Sequence, residues 1–161
     1  MQVTNALLVG DFKKDLEKFF DVTISDISIC ICNPEEFKPF KFADYVMAYT
    51  ITIPNLQIVF ILDEKYTNYS HEEWLKVVKH ELVHLFFSSK FKSGNPRWLN
   101  EGLACYLSGQ EKPLTDVTFD DLIKYNNSTD EKIYSVGYTL VKKLLDKGKN
   151  AKTKSSNKHT S

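Results

Sequence analysis

The chain has 161 residues, of which 42% are hydrophobic, 26% charged and 13% aromatic, and its formal net charge at pH 7 is zero. This composition is typical of one folded domain and excludes collagen-like, mucin-like and intrinsically disordered proteins. No apolar run reaches the roughly 20 residues that cross a bilayer. Because residues 1–10 also lack the basic start and apolar stretch of a secretion signal, we expect a cytoplasmic monomer with no membrane partner.

The first half of the chain predicts one helix and three strands. Apolar residues recur at helical spacing over 11–20, and β-branched residues alternate over 27–31 as in a strand. Two further β-rich runs, 45–53 and 56–62, are separated by the turn-forming pair at 54–55 and predict a hairpin.

The second half predicts four helices, over 70–89, 95–109, 120–125 and 128–145. The first and the last begin with a serine followed three residues later by a glutamate, which is the pattern of a capping box. A proline opens the second helix and a glycine ends it. Strands followed by helices predict an α+β fold.

The end of the chain differs from the rest in charge. Residues 142–161 contain seven lysines and a single acidic residue, so the preceding 141 residues carry a net charge of minus six. Almost nothing in 147–161 is apolar, which predicts a disordered basic tail after a single domain at 1–146. A nucleic-acid-binding arm is the alternative, but lysines without arginine or interleaved aromatic residues are typical of a solvated terminus, and we expect no nucleic-acid partner.

The three cysteines, Cys30, Cys32 and Cys105, match neither a zinc ribbon nor a disulfide framework. An odd number of cysteines cannot pair completely within one chain. We therefore expect reduced and mostly buried thiols, because free cysteine is among the most buried residue types.

The motif His80-Glu81-Leu82-Val83-His84 has the form H-E-x-x-H and lies within the predicted helix 70–89. Residues four apart on an α-helix project from the same face, so both imidazoles can reach one tetrahedral ion. Glu81 is rotated off that face and can act on a water at the ion, as a general base must. The motif therefore predicts a zinc site with His80 and His84 as ligands and Glu81 as the base.

A catalytic zinc ion takes three protein ligands and leaves one position open. A metzincin would supply a histidine six residues after His84, where this chain has Lys90, and that class is excluded. The remaining candidate is a carboxylate on the next predicted helix, where Glu101 lies within Trp-Leu-Asn-Glu-Gly-Leu-Ala at 98–104. This segment after H-E-x-x-H resembles the gluzincin metallopeptidases, in particular the M1 aminopeptidases and the smaller peptidase MA-like domains.

The resemblance implies a zincin-like α+β fold, in which a small mixed sheet and the H-E-x-x-H helix are followed by a mainly helical part. It makes Glu101 the third zinc ligand beside His80 and His84. It also implies one catalytic zinc ion as the cofactor.

A second segment, Tyr-Ser-Val-Gly at 134–137 followed by Leu140, resembles the helix that these aminopeptidases place across the active site. There the tyrosine hydroxyl stabilises the oxyanion, which maps onto Tyr134. Tyr138, one turn further along the helix, is the alternative for this position.

Together these residues predict a zinc-dependent metallopeptidase that hydrolyses peptide bonds in a peptide or protein substrate. Glu81 would take a proton from the zinc-bound water and pass it to the leaving amine. The strand at 56–62, or else its hairpin partner, would offer its edge to an extended substrate, as in related folds. A catalytically inactive zinc-binding interaction domain is the alternative. The segment that recognises a free N-terminus in the M1 aminopeptidases is absent from the sequence, so aminopeptidase activity itself is not expected.

Overall fold

The computed structural model describes residues 1–40, 46–53, 56–91 and 94–156. A four-stranded mixed sheet is followed by a helical C-terminal part, so the predicted α+β class is confirmed. In chain order the elements are β1 (Gln2–Asn5), α1 (Phe12–Phe20), β2 (Ser28–Cys32), α2 (Pro34–Phe37), β3 (Ala48–Ile53), β4 (Leu56–Leu62), α3 (His71–Lys90), α4 (Arg97–Ser108), α5 (Phe119–Lys124) and α6 (Lys132–Ser156), with single 3-10 turns at Ala6–Val9, Lys38–Phe40 and Glu64–Tyr66.

The chain forms two compact units. The first comprises Met1–Gly94 and Leu107–Gln110, and the second comprises Asn95–Tyr106 and Glu111–Ser161. Helix α6 passes through the boundary predicted at residue 147 and ends at Ser156; the single domain and its tail stay a prediction. In the part of the chain that the structure covers, no helix combines the length and apolar character needed to span a membrane.

The sheet of the first unit has the strand order β1-β2-β4-β3. Strands β2 and β4 are parallel, with Ile29 opposite Val59, whereas β1 and β3 are each antiparallel to their neighbours. The predicted hairpin is confirmed, since β3 pairs with β4 and Thr50 lies opposite Val59. Its turn at 54–55 and the start of its first strand at Tyr45 lie outside the described residues. Strand β4 is therefore interior, and β3 is at one edge of the described sheet.

Helix α3 begins with the predicted capping box. The backbone N–H of Glu73 donates to Ser70 Oγ at 3.3 Å, and the N–H of Ser70 donates to Glu73 Oε2 at 2.8 Å. The reciprocal pair satisfies two backbone donors that the first turn of a helix leaves without a partner. It fixes the residue at which the helix starts, and with it the direction in which each later side chain projects.

Helix α3 lies over β3 and β4, and α1 lies against α3. At the end of β4, the carbonyl of Leu62 accepts a hydrogen bond from Trp74 Nε1 at 2.8 Å. The rings of Phe20 on α1 and Phe86 on α3 stack with their centroids 6.2 Å apart. These contacts hold the helix that carries the H-E-x-x-H motif against the sheet. The residues of this region that are completely buried include Ile29, Val59, Ile61, Val78, Leu82 and Leu85.

The second unit contains α4, α5 and α6. Tyr125, Ile133 and Val136 form its buried cluster, against which Trp98 packs. Helices α4 and α6 touch through their backbones, because a Cβ at Gly137 would lie 2.1 Å from the Trp98 carbonyl oxygen. A Cβ at Gly102 would likewise lie 2.3 Å from the Gly137 carbonyl oxygen. Only glycine permits this approach at either position.

The structure differs from the sequence analysis at the start of the last helix. The capping box predicted at Ser128 is wrong, since α6 begins at Lys132. Ser128 Oγ accepts from the N–H of Asp130 at 3.0 Å, and Asp130 Oδ1 accepts from the N–H of Lys132 at 2.9 Å. Asp130, two residues before the helix, therefore supplies the side-chain acceptor for the first N–H of α6, and aspartate suits this role as well as serine does. Strand β1 and helix α2 were not predicted from the sequence, and each has only four residues.

Candidate metal centre

His80 and His84 project from one face of α3, as their spacing predicts. Their ring centroids lie 4.7 Å apart and the ring planes are nearly perpendicular, at 84°. The side chain of His80 is buried and that of His84 is half-buried. Two imidazole rings thus lie at close range on a helix that the core holds in place.

Glu101 occupies the fifth position of α4 and is buried. One nitrogen from each histidine and one carboxylate oxygen of Glu101 all lie within 4.8 Å of one another. His80, His84 and Glu101 therefore form a group that could hold a metal ion.

The donor set fits a zinc ion. Two imidazoles and one carboxylate are among the standard ligand sets of catalytic zinc. A buried carboxylate also needs positive charge nearby, which Arg97 supplies in part and a bound cation would increase.

Glu81 lies beside His80 on α3 and is half-buried. Its Oε2 accepts a hydrogen bond from the hydroxyl of Thr50 on β3. The edge strand of the sheet thus contacts the carboxylate that the sequence predicts to be the base. A carboxylate held by a neighbouring hydroxyl keeps one orientation, which a group that moves protons requires.

Tyr134 and Tyr138 lie one turn apart on α6. Tyr134 is half-buried, packs against the Tyr125 cluster and has Lys112 Nζ 5.6 Å from its ring centroid. Tyr138 is buried, and burial raises the pKa of its hydroxyl. The choice of Tyr134 as the group that stabilises an oxyanion stays a prediction.

Cys105 follows Glu101 by one turn on α4 and is completely buried. Burial raises the pKa of its thiol to about 12. A thiol with this pKa is protonated at neutral pH, and the thiolate is the form that binds metals or attacks carbonyls. Cys105 is therefore a core residue, which agrees with the prediction that the cysteines are reduced and buried.

Two residues of this region were not predicted from the sequence. Arg97 Nε donates to Glu101 Oε1 at 3.4 Å; the spacing of four residues between a basic and an acidic side chain on one helix could have indicated the pair. Thr50 is 31 positions from Glu81 in sequence. Thr50 reaches Glu81 only because β3 pairs at the sheet edge beside α3, and no local sequence pattern predicts this contact.

Comparisons of the chain with protein-family models, with curated proteins and with solved structures find no match. The structure itself establishes an α+β fold and a His/His/Glu group that could hold a metal ion. The function is therefore argued from the chemistry of this group and from the residues around it.

Proposed function

We propose that the chain is a zinc-dependent metallopeptidase of the gluzincin type. The observation that carries the proposal is the convergence of His80, His84 and Glu101, because the histidines and the glutamate come from different helices and no sequence spacing forces them together. The form of the two segments that carry them, H-E-x-x-H and Trp-Leu-Asn-Glu-Gly-Leu-Ala, supports the same assignment.

Zinc held by these three side chains would supply Lewis acidity to the carbonyl of the scissile peptide bond and to the attacking water. The remaining chemistry belongs to the protein. Glu81 takes the proton of the water at Oε1, since Oε2 accepts the Thr50 hydroxyl, and returns it to the nitrogen of the leaving amine. Tyr134 donates from its hydroxyl to the developing oxyanion.

The substrate in this proposal is an extended peptide that pairs with β3. This strand is at the edge of the described sheet, and its Thr50 side chain contacts Glu81. Addition of a strand at such an edge supplies main-chain hydrogen bonds that are independent of side-chain sequence. A peptide bound there lies beside the base, which accounts for the reaction class without requiring a deep pocket.

The test combines metal content with cleavage. We expect about one zinc per chain in the purified protein, and cleavage of a mixed peptide library that 1,10-phenanthroline abolishes. Glu81→Gln keeps all three donors, so it should retain zinc but lose cleavage by a factor of about 100 or more. His84→Ala should lose the zinc as well. Mass spectrometry measures both the zinc content of the protein and the peptide products of cleavage.

Glu72→Gln is the matched control, since Glu72 is an exposed residue of the same helix. It should change neither zinc content nor cleavage. Cleavage that survives both Glu81→Gln and chelation would contradict the assignment as a zinc-dependent peptidase with Glu81 as its base. Zinc binding without any cleavage by the unaltered protein would instead indicate a zinc-binding interaction domain.

A further inference from the structure

Arg97 is the only arginine among the 161 residues, and it is the first residue of α4. Its backbone N–H donates to the carbonyl of Asn126 at 2.8 Å, and its Nη1 donates to the carbonyl of Ser128 at 2.6 Å. The residue is therefore anchored through both main chain and side chain to the segment that precedes α6. A guanidinium held in this way has little freedom to rotate.

The same guanidinium reaches Glu101. Nε donates to Oε1 at 3.4 Å, while the second carboxylate oxygen, Oε2, is completely buried. The side chain of Glu101 is 10% exposed and that of Arg97 is 35% exposed. A contact of this length between residues four apart adds only a few tenths of a kcal/mol to helix stability. Its importance therefore lies in the orientation of a buried carboxylate.

We propose that Arg97 is a positioning residue that holds Glu101 in the orientation in which it binds the metal. The inference rests on the proposed function, because it takes Glu101 as a metal ligand. The planar guanidinium presents its N–H groups in a fixed fork, so one edge binds the Ser128 carbonyl while Nε holds Oε1. Partners that orient a ligand in this way typically contribute a factor of 10 to 100 in metal affinity.

Two effects of Arg97 on a bound cation have opposite signs, which makes the inference testable. Orientation of Glu101 strengthens binding, whereas the positive charge of the guanidinium weakens it by repulsion. Arg97→Met removes both effects. Arg97→Lys keeps the charge but loses the fork, since one ammonium cannot reproduce the planar geometry that spans Ser128 and Glu101.

The experiment measures the Zn²⁺ dissociation constant of the full chain by competition with a chromophoric chelator. We expect Arg97→Lys to weaken binding by about tenfold. Arg97→Met should weaken it by a smaller factor, because loss of the repulsion offsets part of the lost orientation. The visible absorption of the Co²⁺-loaded protein should change in the same variants, because it reports ligand geometry. Zinc binding as tight as, or tighter than, that of the unaltered protein in Arg97→Met would overturn the inference.

A double-variant cycle shows whether Arg97 acts through Glu101. Arg97→Met should cost nothing further in a Glu101→Gln background, and an additive loss would overturn the inference. Lys142→Met is the matched control, because it breaks another pair of residues four apart, Lys142 with Asp146 on α6, and should leave zinc affinity unchanged.

Thermal unfolding of the metal-free variants separates positioning from folding. If Arg97→Met does not fold, Arg97→Lys and its own cycle with Glu101→Gln carry the test. An unaltered protein that binds no zinc contradicts the proposed function and this inference together. An unaltered protein that binds zinc, with Arg97 variants that bind it equally well, contradicts this inference alone.

Discussion

Helices α3 and α4 both contribute to the candidate metal centre, but different contacts hold them. Helix α3 is a long helix with a reciprocal cap at Ser70, and it lies over two strands of the sheet. Its own 3.6-residue period places His80 and His84 on one face. Helix α4 has only 12 residues, and within the second unit it is held by the contact of Gly102 with Gly137 and by the bonds of Arg97.

Local structure alone places the two histidines on one face, whereas the position of the Glu101 carboxylate depends on tertiary contacts. A helix that forms correctly always brings residues four apart to one face. The position of Glu101 depends instead on how closely α4 approaches α6 and on what holds its first turn. Changes around α4 should therefore affect metal binding more than changes of similar size at the start of α3.

The largest effect is expected from Gly137→Ala. The new Cβ would overlap the Trp98 carbonyl oxygen, a backbone atom that cannot rotate away. Overpacking of this kind costs about 3 kcal/mol, of which the better helix propensity of alanine returns about 1 kcal/mol. Urea unfolding should therefore show a net loss of about 2 kcal/mol, together with weaker zinc binding.

Lys143→Ala on the exposed side of the same helix is the control for this change. It should alter the free energy of unfolding by less than about 0.5 kcal/mol. Equal stability of Gly137→Ala and the unaltered protein would show that α4 and α6 are not in backbone contact.

An intermediate effect is expected from Thr50→Val, which keeps the shape of the side chain but removes the hydroxyl that donates to Glu81. The carboxylate loses a fixed partner, and kcat for peptide cleavage should fall about tenfold with little change in KM. Thr50→Ser retains the hydroxyl and should therefore keep most of the kcat of the unaltered protein. Thr52→Val, at the exposed position two residues along β3, is the control. A rise in KM with unchanged kcat would contradict a role of Thr50 in orienting Glu81.

The smallest effect is expected from Ser70→Ala, which removes the cap of α3. Loss of a serine cap costs about 1 kcal/mol of stability, measured by urea unfolding at pH 7. Zinc affinity should be almost unchanged, because the cap lies far along the helix from His80. A loss of zinc affinity as large as that of Gly137→Ala would contradict the distinction drawn between α3 and α4.

The same cap has a defined pH dependence. A hydrogen bond from the backbone N–H of Ser70, and a second from its hydroxyl, hold the pKa of Glu73 below its ordinary value of 4.5. The ionised form is therefore favoured in the folded protein, and its contribution is complete above pH 4.5 and is lost as the pH falls through the lowered value. Ser70→Ala keeps the backbone bond and loses the hydroxyl bond, so only the hydroxyl share of the difference between the two proteins should shrink over that acidic range.

Local patterns predicted much of this structure. The cap at Ser70, the hairpin of β3 and β4, and the face shared by His80 and His84 all follow from residues close together in sequence. Strand β1 and helix α2 were missed because four residues are too few to show a period. The predicted start of α6 was wrong because Ser128 and Asp130 both suit a cap, and only the tertiary structure decides between them.

The contacts that orient the site could not be predicted in this way. Thr50 reaches Glu81 only because β3 pairs at the edge of the sheet beside α3. The closeness of Gly102 and Gly137 depends on the packing of two helices that are separated by α5. Glu101 was assigned through resemblance to a family, and its position beside the two histidines is a property of the tertiary structure alone.

The buried thiol of Cys105 can report local opening of helix α4 in the second unit. The thiol is buried and stays protonated at neutral pH, so an alkylating reagent such as iodoacetamide can reach it only when the helix around it opens. The rate of alkylation, read on the Cys105 peptide, therefore counts local openings of α4. Cys105 has no part in the proposed chemistry, but its alkylation rate measures the local opening of the helix that also carries Glu101, one turn away.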